Sequence, residues 1–362
     1  MRMLPHILNK PVSQRTIQSA TKLRSGSCGV LMVVVLLCCR CVSAQSSSRR
    51  LFHAVHPAMG SEFSIDLYAP DQETANRWMQ ESFDEIDRID ALLSNYKPTS
   101  ELSRITREVA AHPVTTDPET FAFLQTCVAW SRRTQGAFDI TVDPLMHAWG
   151  FFQQGHVPFQ AELDHLRASI GWDKIVLDPA KRTVWFRDGA HLALDPGGIG
   201  KGYAVDRVVA LLRKDRVTAA LISAGSSSIY AMGAPNGAKG WRIDITDPAK
   251  PANTLSTVYL RDASLSTSAC TKKFFIKDGH RFCHILDPHT ERPVEDMLQT
   301  TVIAPIATDT DALSTASFVL GAQGTRRLLD SLANTHTIVV SGTTEHPQYD
   351  AIHWTEALHS SK

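Results

Sequence analysis

The sequence predicts an α+β protein in which helices and strands form one compact mixed domain around a cleft. The chain has 362 residues, of which 43% are hydrophobic and 20% are charged, and this is enough apolar surface to bury a sizeable core. Segments with the alternating pattern of strands outnumber the segments with helical periodicity. The two kinds do not alternate regularly along the chain, which argues against a doubly wound parallel sheet.

Periodicity and capping signals place the helices. A half-buried strand is predicted at 62–68, where apolar residues alternate with polar ones. Pro70 then opens a helix whose apolar positions recur every three or four residues up to Leu93. A second helix starts at 116–118 with a cap oxygen followed by proline, and Gly136 is its predicted stop. Helical patterns return at 160–169, 199–213, 309–320 and 323–332.

Short strand-like runs lie between these helices. No internal repeat and no low-complexity linker follows residue 50, so residues 45–362 are expected to form a single domain. The predicted strands are 174–177, 183–186, 191–194, 219–223, 241–245, 257–260, 281–286 and 301–304.

The first 44 residues have the layout of a secretory signal peptide: a basic start, an apolar run at 29–39 and small residues before Gln45. The run is shorter than the roughly 20 residues that span a bilayer. We therefore expect cleavage after Ala44 and export to the periplasm, with an uncleaved inner-membrane anchor as the alternative. This leader carries six Lys and Arg and no acid. Without it, acidic residues outnumber basic ones, which argues against binding nucleic acid.

Three of the seven cysteines lie outside the leader, namely Cys127, Cys270 and Cys283. They have no C-x-x-C spacing, so no zinc knuckle is expected. An exported protein with three cysteines can form at most one disulfide. A bridge between Cys270 and Cys283 across a hairpin and a set of unpaired buried thiols both remain open.

A glycine-rich segment, DPGGIGKGYA from Asp195, follows a predicted strand and leads into a helix. Backbone N–H groups at such a helix start approach phosphates closely, and the helix dipole adds to the attraction. The segment does not fit a Walker loop, which would need glycine in place of Asp195 and Ser or Thr in place of Gly202. It does not fit the G-x-G-x-x-G pattern either, because the last glycine would fall on Tyr203. A phosphate site and a structural turn are both open on this pattern alone.

The segment DTDALSTASF from Asp309 predicts the start of a helix. Asp311 and Thr315 are four residues apart, so a carboxylate and a hydroxyl share one helix face. Hard oxygen ligands of this kind suit Mg²⁺ together with a substrate phosphate. The alternative is that Asp309 or Asp311 caps the helix and that Thr315 bonds its own backbone.

A third segment, HILDPHTE from His284, ends a predicted strand and enters a turn. Side chains in such a place are held firmly yet reach a cleft, so His284 is a candidate general base. Its pairing with His289 in a zinc site is disfavoured because the spacing matches no familiar ligand pair. A purely structural His284 is the remaining alternative.

The order and spacing of these segments resemble the ApbE family of bacterial FAD:protein FMN transferases. The resemblance covers nearly the whole chain after the leader and rests on seven separate segments. They are FHAVHPAMG from Phe52, LSNYKPTSELSRI from Leu93, Gly136 to Phe151, LDPGGIGKGYAV from Leu194, WRIDITDP from Trp241, HILDP from His284 and DTDALSTASFVLG from Asp309.

The resemblance implies an ApbE-like (T-fold-like) α+β fold and a reaction in which the FMN half of FAD moves to a Thr or Ser hydroxyl of a target protein, with release of AMP. His284 resembles the base that deprotonates the acceptor hydroxyl. Asp311 and Thr315 resemble Mg²⁺ ligands, with the backbone carbonyl of Gly200 as a third. The positions that resemble FAD contacts are Met59, Tyr96, Asp139, Gly197, Gly198 and Lys201.

Three departures from the family pattern border the expected flavin site. The usual Asn-Leu-Gly-Gly-Asp is Ser223-Ala-Gly-Ser-Ser here, the usual glycine and acid after Ser268 are Ala269 and Cys270, and the usual glycine before Pro-Leu is Asp143. They are compatible with a changed acceptor, with weaker FAD binding, or with a protein that binds flavin without transferring it.

The resemblance therefore predicts an exported, Mg²⁺-dependent flavin transferase. Its expected partner is a flavin-acceptor protein of a membrane redox complex, which also allows peripheral association with the membrane. Two rival functions remain: a pyrophosphatase that splits FAD into FMN and AMP, and a periplasmic flavin-binding protein without turnover.

Overall fold

The computed structural model describes residues 49–271 and 273–358. The predicted signal peptide and its cleavage site lie outside the described residues. The helices are α1 (Gln72–Leu93), α2 (Glu101–Glu108), α3 (Pro118–Arg133), α4 (Asp143–Ala148), α5 (Gln160–Leu166), α6 (Gly200–Lys214) and α7 (Ala307–Leu329).

The strands come mostly in the first 70 and the last 150 residues of the described chain. They are β1 (Arg50–Ala58), β2 (Ser61–Ala69), β3 (Val114–Thr115), β4 (Ile175–Asp178), β5 (Thr183–Phe186), β6 (Ala220–Ala224), β7 (Ser228–Met232), β8 (Trp241–Thr246), β9 (Thr254–Leu260), β10 (Ala263–Ala269), β11 (Phe274–Lys277), β12 (His280–Cys283), β13 (Leu286–Asp287), β14 (Arg292–Pro293), β15 (Met297–Ala304), β16 (His336–Gly342) and β17 (Pro347–Ile352).

One eight-stranded sheet organises the fold, in the order β1-β2-β6-β7-β10-β15-β16-β17. Every neighbouring pair in it is antiparallel. Antiparallel pairing needs no helical crossover between neighbours, so helices can gather on one side of such a sheet. The predicted α+β class is confirmed, and the doubly wound alternative is excluded.

The main core lies between this sheet and three helices. Helices α1, α6 and α7 pack against its strands and against each other. On β2, Phe63, Ile65 and Leu67 are fully buried in this core, and the period of two places them on one face of the sheet. The apolar stripe of α1 meets them, as its helical periodicity predicts.

A second core covers the opposite face of the sheet. The hairpin of β8 and β9 packs there, with Trp241 and Val258 buried beside Ile229, Leu265 and Ile338 of the large sheet. Residues on β7 alternate between the two cores, since Tyr230 belongs to the first and Ile229 to the second. Both faces of the sheet are therefore covered at its centre.

Two strand predictions were wrong. The run 191–194 forms no strand, although Leu192 and Leu194 are buried in the main core. Alternating buried leucines show only that the segment packs against the core. A strand also needs backbone hydrogen bonds to a neighbouring strand, and this segment has no such neighbour in the described part of the chain. The predicted strand 281–286 is two strands, β12 and β13, which pair with different partners on either side of His284.

Strand β10 was missed because it carries no apolar alternation. Its hydroxyl side chains are buried against α7: Ser264 and Ser266 hydrogen-bond with Thr310, and Ser268 with Ser314 at 2.9 Å. Buried hydroxyls that satisfy each other are stable in a core. Hydrogen bonds of this kind tie the helix that carries Asp311 to the middle of the sheet.

The predicted helices 309–320 and 323–332 are confirmed as the two parts of α7, between which Gly321 breaks the helical geometry with φ 62° and ψ −175°. The helices α2 and α4 and the strands β1, β3, β7, β11, β14, β16 and β17 were also not predicted. Among the described residues, none of the helices has the length and hydropathy needed to cross a bilayer.

Candidate active site

The glycine segment forms a tight turn that ends where α6 begins, at Gly200. Asp195 Oδ1 accepts a hydrogen bond from the Gly197 N–H at 2.7 Å. A Cβ atom at Gly198 would lie 3.1 Å from Thr315 Oγ1, so the turn approaches α7 more closely than a larger residue allows. The glycines therefore serve the packing of the turn and leave its backbone open to a ligand.

Gly202 and Asp311 join α6 to α7. The Gly202 N–H donates to Asp311 Oδ2 at 2.9 Å, and a Cβ at Gly202 would collide with the carbonyl oxygen of Ala307. Ser228 Oγ donates to Asp311 Oδ1 at 3.0 Å. The Asp311 carboxylate is thus held by one N–H and one hydroxyl at the contact of two helices and a strand.

The predicted Mg²⁺ ligands fit the ion by their chemistry. Asp311 is 5% exposed, its two bonding partners described above are neutral, and each carboxylate oxygen keeps a free lone pair. Thr315 lies one helical turn further along the same face and faces the glycine turn. A buried carboxylate, a hydroxyl and a backbone carbonyl are hard oxygen donors of the type that Mg²⁺ takes.

Of the alternative structural roles of these side chains, the backbone hydrogen bond of Thr315 is present and the capping of α7 by Asp309 or Asp311 is not. Neither Asp309 nor Asp311 caps α7. Asp206 of α6 does so, by accepting from Ala307 N at 2.9 Å and Thr308 N at 2.7 Å. Asp309 accepts instead from the Trp130 indole at 2.8 Å. Thr315 does donate to the Asp311 carbonyl, at 3.3 Å, so its backbone bond is present.

One large cleft of about 1350 Å³ adjoins this helix contact. Its volume exceeds the roughly 300–1,000 Å³ of most small-molecule pockets, which suits a dinucleotide. All ten residues that the sequence singles out line this cleft. They are Met59, Tyr96, Asp139, Gly197, Gly198, Gly200, Lys201, His284, Asp311 and Thr315.

His284 lies at the wall of the cleft between β12 and β13, and it is half-buried. Its Nδ1 donates to the carbonyl oxygen of Lys273 at 2.9 Å, so Nε2 is the unprotonated nitrogen of the neutral ring. Burial lowers the pKa of His284 to about 4, and the nearby charges of Lys273 and Lys201 act in the same direction. The ring is therefore a neutral base at pH 7.

Asp195 was noted in the sequence only for breaking the Walker pattern, yet it lines the cleft. Burial raises the pKa of Asp195 to about 6, and the charge of Asp143 adds to this, while the Gly197 N–H opposes it. Lys273 is a second cleft residue that was missed. A carboxyl with a raised pKa in a cleft is a feature of functional sites, but only the structure shows the burial that causes it.

The other predicted FAD contacts differ in whether their side chains are free to bind a ligand. Both oxygens of Asp139 are taken: Oδ1 by the N–H and hydroxyl of Thr141 at 2.8 Å, and Oδ2 by Trp172 N at 3.0 Å. This carboxylate organises its turn. Tyr96 is 70% exposed at the rim, with its ring edge on Phe152 at a centroid distance of 5.3 Å. Met59 lies in the tight turn between β1 and β2, at φ 51°.

The cysteine and zinc questions are settled by the contacts. Cys270 and Cys283 form a disulfide, and Cys127 is a buried free thiol. Both ring nitrogens of His289 are engaged, Nδ1 with Asp287 at 3.0 Å and Nε2 with the Gln135 carbonyl at 2.8 Å. His284 and His289 therefore do not share a metal site.

The three departures from the family pattern border the cleft or its supporting residues. Ser226 occupies the left-handed region at φ 59°, where glycine is usual. Ser227 stands where the family has an acid, and its hydroxyl donates to the Ala224 carbonyl at 3.0 Å. Asp143 begins α4 and accepts from Asn95 at 2.9 Å. At Cys270 the disulfide replaces the usual acid.

Comparison with known proteins agrees with this geometry. The model of the ApbE family matches residues 59–339. This chain belongs to the ApbE family. The ApbE relative from Salmonella typhimurium, named FAD:protein FMN transferase, is 32% identical over 278 residues, which are 73% of this chain and 77% of the relative. One from Treponema pallidum with the same name is 29% identical and covers 84% of this chain and 89% of its own length.

Solved ApbE structures have the same fold. The ApbE protein of Thermotoga maritima superposes with a TM-score of 0.77 at 27% identity, over 84% of this chain and 97% of that one. The apo form of the flavinyl transferase ApbE from Pseudomonas stutzeri gives a TM-score of 0.75 at 25% identity, over 84% and 96%.

Proposed function

We propose that this chain is an exported, Mg²⁺-dependent FAD:protein FMN transferase. One observation carries the proposal: a single cleft of about 1350 Å³ holds both the oxygen donors Gly200, Asp311 and Thr315 and the base His284. The names of the ApbE relatives point to the same reaction. FAD is the substrate of this reaction, with the glycine turn and Lys201 placed to receive its phosphates.

The proposed reaction moves FMN to a hydroxyl of the acceptor protein. The Thr or Ser hydroxyl gives its proton to Nε2 of His284, which is free because Nδ1 donates to the Lys273 carbonyl. The hydroxyl oxygen bonds to the phosphorus of the FMN half, the bond to the AMP oxygen breaks, and AMP leaves. The product is an acceptor whose side chain carries FMN through a phosphoester.

Mg²⁺ would be held by Asp311, Thr315 and the carbonyl of Gly200, where it neutralises charge on the pyrophosphate. The N–H groups at the start of α6 add to this neutralisation. Asp311 stays in place without the ion because Gly202 N and Ser228 Oγ bond it. The site is thus preorganised by the protein.

The proposed location and partner rest on the leader and on the family resemblance. A chain with a cleavable signal peptide would meet its acceptor in the periplasm, where a flavin-carrying subunit of a membrane redox complex is the expected partner. A leader that is not cleaved would keep the enzyme at the inner membrane. In both cases the acceptor would lie on the periplasmic side of that membrane.

Product analysis tests the proposal. Residues 45–362 are mixed with FAD, Mg²⁺ and an acceptor domain that the Salmonella typhimurium relative is first shown to flavinylate. AMP is followed by chromatography and the acceptor by mass spectrometry. We expect AMP and FMN-bearing acceptor in equal amounts, and neither with EDTA. Free FMN with AMP and an unchanged acceptor would indicate the pyrophosphatase, and bound but intact FAD would indicate a binding protein.

A further inference from the structure

A second, smaller opening reaches His284 from outside the FAD cleft. It is a groove of about 370 Å³ between the chain at 150–155 and the hairpin of β11 and β12, and it is called the aromatic groove here after Phe151, Phe152, Phe274 and Phe275. The groove and the cleft share the lining residues Tyr96, Met146, Lys273 and His284. His284 therefore stands where the two openings meet.

The walls of the aromatic groove are closely packed and cross-linked. Phe275 stacks on Phe282 at a centroid distance of 4.9 Å and contacts Phe151 at 5.3 Å. Gly155, at φ 81°, lies so close to Phe275 that a Cβ there would overlap the ring. The disulfide from Cys270 to Cys283 ties the hairpin to the end of β10. A preformed groove binds a partner with little loss of entropy.

The reaction needs an approach for the acceptor as well as a site for FAD. In a phosphoryl transfer the attacking and the leaving oxygen lie roughly in line on opposite sides of the phosphorus. His284 borders both the aromatic groove and the large cleft. An acceptor segment in the groove would therefore bring its hydroxyl to Nε2 of His284 while FAD lies in the cleft.

We propose that the aromatic groove binds the segment of the acceptor protein that carries the modified hydroxyl. This inference rests on the proposed function. The groove's side chains are mainly aromatic, and Lys273 is its one charged residue among the described residues that line it. It therefore fits an apolar segment that has no Lys or Arg next to the hydroxyl. The acceptor, rather than the flavin, is the occupant.

The test fills the groove without touching the cleft. Gln154 is exposed, lines the groove and does not line the cleft, so Gln154→Trp narrows the groove; Gln153→Trp is a second variant of the same kind. Gln348→Trp is the matched control because Gln348 is exposed on edge strand β17 and lines neither opening. The probe is the acceptor domain that the Salmonella typhimurium relative has first been shown to flavinylate.

We expect the KM for the acceptor to rise about tenfold or more in Gln154→Trp, with the Kd for FAD within twofold of the unmodified chain. Equal acceptor kinetics in Gln154→Trp, Gln153→Trp and Gln348→Trp would overturn the inference and leave the proposed function intact. Weakened FAD binding would also overturn it, since the flavin would then occupy the groove. Failure of the unmodified chain to label the acceptor would reject the proposed function itself.

Discussion

Asp206 of α6 caps α7 by accepting a hydrogen bond from the backbone N–H of Thr308 at 2.7 Å, and its carboxylate also takes the Ala307 N–H at 2.9 Å. Burial raises the pKa of Asp206, while these hydrogen bonds oppose the shift. The contact fixes the start of α7, which carries Asp311 and Thr315, against the helix that begins at Gly200. The two helices that carry the proposed Mg²⁺ ligands are thus joined by one carboxylate.

Replacing this cap should destabilise the protein. Asp206→Ala leaves two backbone donors at the start of α7 without partners, and we expect the free energy of unfolding to fall by about 1–2 kcal/mol. Urea unfolding followed by circular dichroism measures the change. Asp330→Ala is the control, because Asp330 is exposed at the other end of α7. An equal effect of the two variants would contradict the cap.

The carboxylate of Asp311 should be required for turnover, and Asp311→Asn tests this with little loss of fold. The amide oxygen of Asn can accept from Gly202 N while its NH₂ group donates to Ser228 Oγ, so both hydrogen bonds survive. We expect AMP release to fall by about 100-fold or more and the midpoint of unfolding to change little. Chromatographic AMP assays across a range of Mg²⁺ concentrations measure the effect.

Asp309→Asn is the matched control for Asp311→Asn. Asp309 lies on the same helix, bonds the Trp130 indole and does not line the cleft. The turnover of the Asp309→Asn variant should stay close to that of the unmodified chain. Near-normal activity in Asp311→Asn would remove this residue from the metal site.

Transfer should remain active well below pH 6.5. The base is the neutral form of His284, whose pKa is lowered to about 4, so protonation of the ring stops the reaction only as pH falls through about 4. Asp195 is a second cleft group that changes charge in this range, because burial raises its pKa to about 6. Measuring kcat/KM for the acceptor from pH 4 to 8 detects the titration of both His284 and Asp195.

The Asp195→Asn variant separates the two titrations. Any fall in rate near pH 6 that disappears in this variant belongs to Asp195. A fall near pH 6.5 that persists in Asp195→Asn would mean that His284 has an ordinary pKa, in contradiction to its burial beside Lys273.

The disulfide between Cys270 and Cys283 should contribute measurably to stability. Its two cysteines are 13 residues apart, and closing a loop of this length is worth about 3 kcal/mol in the chain-entropy account. We expect the double variant Cys270→Ala and Cys283→Ala to lose about 2–3 kcal/mol of unfolding free energy in non-reducing buffer. In dithiothreitol the unmodified chain should lose a similar amount. Equal stability of both proteins in non-reducing buffer would show that the bridge does not form.

Periodicity predicted several elements that have one apolar face, but it missed the apolar strands β7 and β16 and failed where burial is polar or irregular. Helix α1 and strand β2 follow directly from the spacing of residues such as Phe63 and Ile65. Strand β10 escaped because Ser264, Ser266 and Ser268 are buried through hydroxyl contacts to α7. The strand predicted at 191–194 was wrong because the leucines there alternate and are buried, but the segment has no neighbouring strand to pair with among the described residues.

The sequence identified candidate site residues, whereas their burial and their hydrogen-bond partners depend on the fold. The helical spacing of Asp311 and Thr315 predicted that a carboxylate and a hydroxyl share one helix face. The glycine-rich segment predicted the start of a helix, which the structure has at Gly200. The sequence did not reveal that the side chains of Asp195 and Lys273 line the same cleft, since the two residues are far apart in the chain and only the glycines and Lys201 of the first segment matched expected ligand contacts. It also suggested that an acid of the helix itself caps α7, whereas Asp206 does.

The amino-acid sequence by itself determined the α+β class, the family and the candidate residues, because these depend on local spacing and on the order of motifs. Tertiary structure alone decided that Nδ1 of His284 is bound to a carbonyl, that its pKa is lowered, that Cys270 pairs with Cys283 and that a second groove meets the cleft. These properties arise from burial and from contacts between residues far apart in the chain. Local sequence carries no information about the dielectric surroundings that such contacts create.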